Sequence, residues 1–349
     1  MYTIPNWILL KWLDLSLSIC MLREIAGKAG EYMVELIDLN NAYIQSLLPM
    51  LLSDKTTRKN IVFATESYTD QGEYLGPTCE ITDSLLPLMD LKPRILKSQE
   101  EQALRTRKKA EVFTPAWLCC KMNNHLDEEW FCRPDVFNHL EGEHWTVTEN
   151  PIEFPEGKEW KHYVDSRRLE ITCGEAPYVV SRYDAATGDP IELKERIGIL
   201  DRKLRIVNEN TTEYAEWEEW VIRAFQSVYG YEWQGDSLLI ARINLLMTLQ
   251  EYYTDRWGEG NEKQLKALAR KVANIIAWNF WQMDGLTGIV PYGEPEKEYE
   301  QVDMFSMMDM LIQPEAAPET TGAGQKNTEC RIFDWRADKS VKFSSIKKG

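Results

Sequence analysis

Residues 168–179 read RLEITCGEAPYV, and residues 228–246 read VYGYEWQGDSLLIARINLL. Each opens on a short run of β-prone residues that carries an acidic residue at its end, Glu170 in the first and Glu232 in the second. The first then passes into a turn at Gly174, with Tyr178 to Tyr183 expected to open a helix. The second passes into an amphipathic helix over Asp236–Tyr253, with Asp236 as its expected N-cap and Leu239, Ile243, Leu246 and Leu249 along one face. A third stretch, NFWQMDGLTG at 279–288, follows a buried run and brings Asp284 to a glycine turn. Strands alternating with helices from 168 to 290 predict a parallel α/β sheet. In such sheets ligands bind beyond the carboxyl ends of the strands, and an acidic residue at a strand end holds ribose hydroxyls. The turn at Gly174 has one glycine where a dinucleotide fingerprint has three, so it suits a nucleoside ligand lacking a pyrophosphate.

Outward from this centre the pattern changes on both sides. Residues 1–90 read as a mainly helical N-terminal extension, with a helical pattern over 33–52 and a short strand or buried turn at Ile61–Ala64. A segment from Leu91 to Lys109 is locally basic, and its plainest reading is a solvated helix face. Residues 133–165 read as irregular structure with short strands, and Asp201–Gln226 as charged, Trp-rich helix. The domain spans 91–292, and residues 293–349 form a flexible linker followed by a basic strand-like tail.

The net charge of −16 argues against a chain that grips nucleic acid unaided, because that binding rests on Lys and Arg neutralising phosphates. The apolar stretch near the start is broken by Lys11 and Asp14, too early to span a bilayer, which predicts a soluble, cytoplasmic protein. The cluster Cys119, Cys120, His125, Cys132, His139 and His144 contains no CxxC pair and fits no common zinc spacing, so free thiols are expected and no metal. No histidine stands in a recognisable nucleophile motif.

Taken with KAEVFTPAWLCCKMNN at 109–124, these stretches resemble the S-adenosylmethionine-binding part of adenine-N6 DNA methyltransferases from bacterial restriction–modification systems. The resemblance covers roughly residues 95–290. It implies a Rossmann-like methyltransferase sheet lacking its later strands. It places Phe113, Thr114 and Pro115 beside the methionine moiety of the cofactor, and Glu170, Thr172, Cys173, Gly174, Ala176 and Pro177 around it. It assigns Glu232 to the ribose, Trp233 to the side of the adenine, and Asp284 to the adenine amino group.

Two departures shape the functional expectation. Gly174 and Glu232 stand nearly three times farther apart than the about 20 residues usual between turn and ribose carboxylate, which implies an insertion near 184–222. Asp201 lies closer to the usual spacing and competes for the ribose, but the helix after Glu232 also matches the family. The family's catalytic tetrapeptide, Asn or Asp followed by Pro-Pro and an aromatic, is absent; Asn150-Pro151 is followed by Ile152. Its Asn side chain and a Pro carbonyl accept the amino hydrogens of a flipped adenine, so without it the chain is expected to hold cofactor and not to transfer methyl groups. A split enzyme follows: a second, more basic methyltransferase chain carries Asn-Pro-Pro-Tyr and target recognition, engages duplex DNA, and docks where the sheet ends after the Asp284 strand. The competing expectations are a catalytically silent binding protein acting as regulator or decoy of restriction, and an endonuclease resting on the Glu156-Gly157-Lys158 triplet.

Overall fold

In the computed structural model, which describes residues 36–39, 41–89, 91–98, 102, 114–292 and 328–345, the first helix is α1 (Ala42–Leu52). Asn41 caps it by accepting the Tyr43 N–H, and Ile44, Leu47, Leu48 and Leu51 form the buried stripe at helical spacing. The helical pattern of 33–52 is thus realised from Ala42, while 36–39 are not helical and 33–35 lie outside the described residues. From Ser53 onward the described part of the N-terminal region runs as turns and single-turn 3-10 segments, less helical than its composition predicts. Ile61–Ala64 is pinned by isolated bridges, Ser53 with Asn60 and Val62 with Glu80. Phe63, Ile81 and Leu86 belong to the same apolar core as the later helices, so this region is built into the fold.

The chain continues through α2 (Ala116–Phe131), a hairpin of β1 (Asn138–Glu141) and β2 (His144–Val147), and the short α3 (Trp160–Val164). Then come β3 (Arg168–Ile171), α4 (Ile199–Asn210), α5 (Tyr214–Gln226), β4 (Val228–Glu232), α6 (Gly235–Trp257), α7 (Glu262–Asn279) and β5 (Phe280–Gln282). A second hairpin, β6 (Arg331–Asp334) with β7 (Lys339–Lys342), gives the tail its predicted strand character. The expected linker at 293–327 lies outside the described residues. The Trp-rich stretch is two helices, parted at Thr211, whose hydroxyl bonds back to the Val207 carbonyl. No helix forms at 178–183; the first α-helix after β3 starts at Ile199, after a single 3-10 turn at Leu193–Glu195. Ala176 takes a left-handed φ of 66°, a conformation that breaks a helical run before it starts.

β3, β4 and β5 form a three-stranded parallel sheet in that order. The register aligns Glu170 with Gly230 and Phe280, and Ile171 with Tyr231 and Trp281. Aligned residues share a face, so Arg168, Glu170, Val228, Gly230 and Phe280 look one way and Leu169, Ile171, Tyr231 and Trp281 the other. The first face packs under the main core of α1 and α4–α7. Gly230 is required there, because a Cβ would lie 2.8 Å from the Phe280 ring and 2.9 Å from the Cys173 Cβ. On the second face, Ile332 and Phe343 of the C-terminal hairpin region cover Tyr231, Trp281 and Met283.

Among the described residues the open edge of this sheet is β3, not the strand that leads to Asp284. Beyond β5, buried Arg242 donates to the Phe280 carbonyl at 2.6 and 2.8 Å and to the Leu51 carbonyl. Gln282 exchanges bonds with Val62, accepting its N–H at 2.9 Å and donating to its carbonyl at 2.8 Å. Segments distant in sequence therefore close the side expected to be exposed. No helix among the described residues is long and apolar enough to cross a membrane.

Candidate functional site

The carboxyl ends of β3, β4 and β5 bring together the turn at Gly174, the Glu232 carboxylate and the loop of Asp284. The turn is tight. Cys173 donates its N–H to the Tyr231 carbonyl at 2.9 Å, continuing the ladder one step past β3, and Ala176 donates to the Cys173 carbonyl at 2.6 Å. Gly174 has φ 51°, and a Cβ there would meet nothing within 4 Å, so the space above the turn is open. Thr172 is exposed beside it, whereas Cys173 is buried and burial drives its thiol well above the ordinary range, which keeps it from acting as a thiolate. Pro177 leads into a loop in which Val179 and Val180 donate to the Ala176 carbonyl.

Glu232 ends β4 and is buried. One carboxylate oxygen accepts the Gly174 N–H at 3.0 Å, and the other accepts the N–H groups of Trp233 at 2.9 Å and Gln234 at 3.1 Å. The side chain therefore ties two strand ends together and caps the entry to α6, whose N-cap residue is Gln234 and not Asp236. A carboxylate offers about four acceptor positions, so ribose hydroxyls reaching Glu232 must share it with backbone. Asp236 lies in the first helical turn, where it is buried against the Lys97 ammonium at 3.0 Å and the Tyr68 hydroxyl at 2.9 Å.

Glu170, on β3, accepts the Tyr178 N–H at 3.5 Å through Oε1, while Oε2 is shielded from solvent without a hydrogen-bond partner. Burial pushes its carboxyl well above the usual range, and the Glu232 charge adds to that. Asp284 follows β5. Its Oδ1 accepts the N–H groups of Leu286 at 2.8 Å and Thr287 at 3.1 Å, and its own N–H bonds to the Ile289 carbonyl, closing the turn. Trp233 packs against Tyr292, with ring centroids 6.1 Å apart.

The 114–116 segment reaches the same region. Pro115 is the N-cap residue of α2, Ala116 donates its N–H to Asp184 at 2.9 Å, and Tyr178 contacts Thr114. Phe113 lies outside the described residues. Asp201 is elsewhere: it sits in the first turn of α4, where Oδ2 accepts the Ser181 N–H at 2.9 Å and its hydroxyl at 3.2 Å. It is not at a strand end, so of the two candidate ribose carboxylates only Glu232 has the required place. The stretch 172–227, which holds the expected insertion, leaves the sheet after β3, forms α4 and α5, and returns as β4.

Asn244 and Glu175, with their partners, hold the turn in shape. Asn244 donates to the Glu175 carbonyl and to the Tyr183 hydroxyl, each at 3.2 Å, and accepts from Arg182. Glu175 accepts the Arg94 N–H and the Tyr183 hydroxyl, both at 2.6 Å. The Ala-x-x-Asn-Leu pattern over 241–245 was the available signal for Asn244; nothing local marks Glu175. Among the described residues no group of three or more His, Cys, Asp or Glu side chains is placed to hold a metal ion. Against protein-family models, curated proteins and solved structures alike, the chain finds no match.

Proposed function

We propose that this chain is the cofactor-binding subunit of a DNA adenine-N6 methyltransferase of a restriction–modification system, acting in the cytoplasm on a Rossmann-like sheet. Its cofactor is S-adenosylmethionine, and a partner chain supplies the Asn-Pro-Pro-aromatic motif and target recognition. The observation that carries this reading is the bond from the Gly174 N–H to the Glu232 carboxylate, with Asp284 at the next strand end. A backbone turn and two carboxylates stand at three consecutive strand ends, where a nucleoside needs acceptors for hydroxyls and an amino group.

The residues fit the cofactor on two counts. Glu170 Oε2 is a buried acceptor without a partner, suited to an ammonium or a neighbouring sulfonium. The Cβ direction of Gly174 is open, so a ligand above the turn displaces no side chain. No helix begins at this turn, which suits a ligand without phosphates. In this reading Glu232 orients the ribose, Asp284 receives the adenine amino group and Trp233 lies beside the ring. Phe113, Thr114, Pro115, Glu170, Thr172, Cys173, Gly174, Ala176 and Pro177 surround the methionine end. The cofactor, when bound, supplies an electrophilic methyl group. This chain's residues bind and orient it, and acceptors for the target amino hydrogens come from the partner after the base is flipped.

Titration calorimetry with S-adenosylmethionine, on the isolated chain and on the complex, is the first test; absence of binding in both overturns the reading. A radiolabelled methyl-transfer assay on duplex DNA, with each chain singly and then mixed, is the second. Transfer is expected only in the mixture. Transfer by this chain alone refutes the division of labour, and cofactor binding without transfer in the mixture supports the silent binding protein instead.

A further inference from the structure

A cleft of about 1190 Å³ lies between the β1–β2 hairpin, the 192–196 segment, α4 and the last turns of α6. None of the residues assigned to the cofactor lines it. Its inner wall carries donors that nothing in the described chain answers. Arg196, whose side chain is 7% exposed, gives Nε to the Ile191 carbonyl at 3.3 Å and Nη1 to Glu251 at 2.6 Å, which leaves Nη2 over. Arg256, one turn beyond Tyr252 on α6, gives Nη2 to the Thr211 carbonyl and pairs with no carboxylate among the described residues. Asn208 accepts the Trp217 indole N–H at 2.6 Å through Oδ1, so its amide N–H groups are left as well. None of these nitrogens is sealed from solvent. The acids of the inner wall are already engaged, Asp201 by Ser181 and Glu209 by Arg205 and the Ile152 N–H. The rim has the opposite sign. Glu149, Glu192, Glu195 and Asp255 are exposed there, and among the described residues their carboxylates make no hydrogen bond or ion pair. Lys194 is the one exposed cation among the lining residues.

We propose that this cleft is a second binding site, for a short basic peptide that sets an anionic group against Arg196, Arg256 and Asn208 and its cationic groups against the acidic rim. Complementarity at two depths selects that ligand. A lone anion answers the inner donors but has to pass the four rim carboxylates. A polyamine suits the rim but brings a cation towards two guanidinium groups. A molecule that carries both charges satisfies wall and rim together through charge-assisted hydrogen bonds. Size favours a peptide over a single amino acid, since about 1190 Å³ exceeds the about 300–1,000 Å³ usual for small-ligand clefts. The walls are also held in place without the ligand. The Trp145 indole donates to the Glu195 carbonyl at 2.8 Å, which fixes the hairpin to the 192–196 segment. Arg205 donates to the Thr148 carbonyl at 2.6 Å, which fixes the end of the hairpin to α4. A cleft already shaped in this way loses little to ordering when it is filled. The site stands apart from the proposed cofactor site and does not depend on it.

Titration calorimetry of the full chain with the tripeptide Gly-Gly-Arg is the test, with its C-terminal amide, Gly-Gly-Glu and inorganic phosphate as comparison probes. Gly-Gly-Arg is expected to bind one to one with a dissociation constant below about 1 mM. The amide lacks the anionic group and Gly-Gly-Glu lacks the cation, so each is expected to bind at least about tenfold more weakly. Arg256→Gln is expected to weaken Gly-Gly-Arg at least about tenfold as well. A Glu192→Gln/Glu195→Gln double variant changes only exposed side chains, so it is expected to fold as the parent does and to weaken the tripeptide about threefold. This variant decides the matter should Arg256→Gln fail to fold. No binding of Gly-Gly-Arg up to about 10 mM overturns the proposal. So does an amide that binds as tightly as the acid, or phosphate that binds as tightly as the tripeptide, which makes the cleft a site for a simple anion. Affinity unchanged in the folded variants places the tripeptide elsewhere and overturns it too. Each of these outcomes is read without S-adenosylmethionine, so the cofactor assignment stands or falls separately.

Discussion

Asp201 and Glu232 were the two carboxylates that spacing allowed for the ribose, and replacing each tests the site by opposite consequences. Burial raises the Asp201 carboxyl from 3.8 to about 6, opposed by Arg196 and by the Ser181 N–H and hydroxyl, and its Oδ1 has no partner. A raised acid favours the protonated fold. Its contribution is fully present below the unfolded value and is lost as pH rises through about 6, so stability falls with pH from this group. At about 1.4 kcal/mol per pH unit the difference amounts to about 3 kcal/mol at neutral pH. The Asp201→Asn amide keeps an oxygen for Ser181 and never ionises. The stability of the variant relative to the parent is therefore expected to rise by about 3 kcal/mol between about pH 4 and pH 7. Urea unfolding at several pH values, compared at constant m, measures that difference, and calorimetry with S-adenosylmethionine is expected to show unchanged affinity. Glu232→Gln is expected to do the reverse, turning one oxygen that accepts backbone N–H groups into a donor and weakening cofactor binding by at least about tenfold. A flat stability difference across pH refutes the account of Asp201. Loss of cofactor binding in Asp201→Asn with retention in Glu232→Gln refutes the placement of the site.

Asp284→Ala is expected to weaken S-adenosylmethionine binding by about 1–3 kcal/mol, read by the same calorimetry, since it leaves the adenine amino group without its acceptor. Gly230→Ala is expected to cost about 1–3 kcal/mol of unfolding free energy, measured by urea denaturation, because its Cβ would press on the Phe280 ring at 2.8 Å. Binding of the cationic cofactor is expected to release protons, since a positive charge beside Glu170 lowers a carboxyl that burial holds well above its ordinary range. Calorimetry in buffers of different ionisation enthalpy measures that release, and a Glu170→Gln variant should lose it.

The centre of the fold was legible because its signals are local. Short apolar runs ending at Glu170 and Glu232, and the helix from Asp236, depend on residues within a few positions of one another, and the structure makes them β3, β4 and α6. Two errors came from contacts that no local pattern encodes. Residues 178–183 have helical composition, but the left-handed Ala176 and the pairing of Tyr183 with Pro190 hold them as loop. The expected open edge beyond β5 is closed by Val62 and Arg242, which come from two separate parts of the chain. Asp236 misled for a related reason: it has the chemistry of a cap, but Lys97, far away in sequence, draws it into a buried pair. Glu175 was invisible for the same reason, since its partners Arg94 and Tyr183 are set by tertiary packing.

The charge of the strand ends bears on which nucleosides the proposed site favours. A helix starting at the turn after β3 would aim unpaired N–H groups and a partial positive charge at the ligand, the usual seat of a phosphate. Here no helix starts there, and α6, which starts after β4, has its first N–H groups answered by Glu232 and its first turn neutralised by the Asp236–Lys97 pair. In the proposed site the groups around the ligand are carboxyls, Glu170, Glu232 and Asp284, with one Glu170 oxygen buried and without a hydrogen-bond partner. Such a field repels a pyrophosphate and attracts a ligand whose non-nucleoside end is positive. In the proposed reaction the sulfonium becomes a neutral thioether once its methyl is gone, so the demethylated product forfeits one of these attractions while keeping its ribose and adenine contacts. In that reading the carboxyls that disfavour phosphates also favour the methyl-bearing cofactor over the spent one.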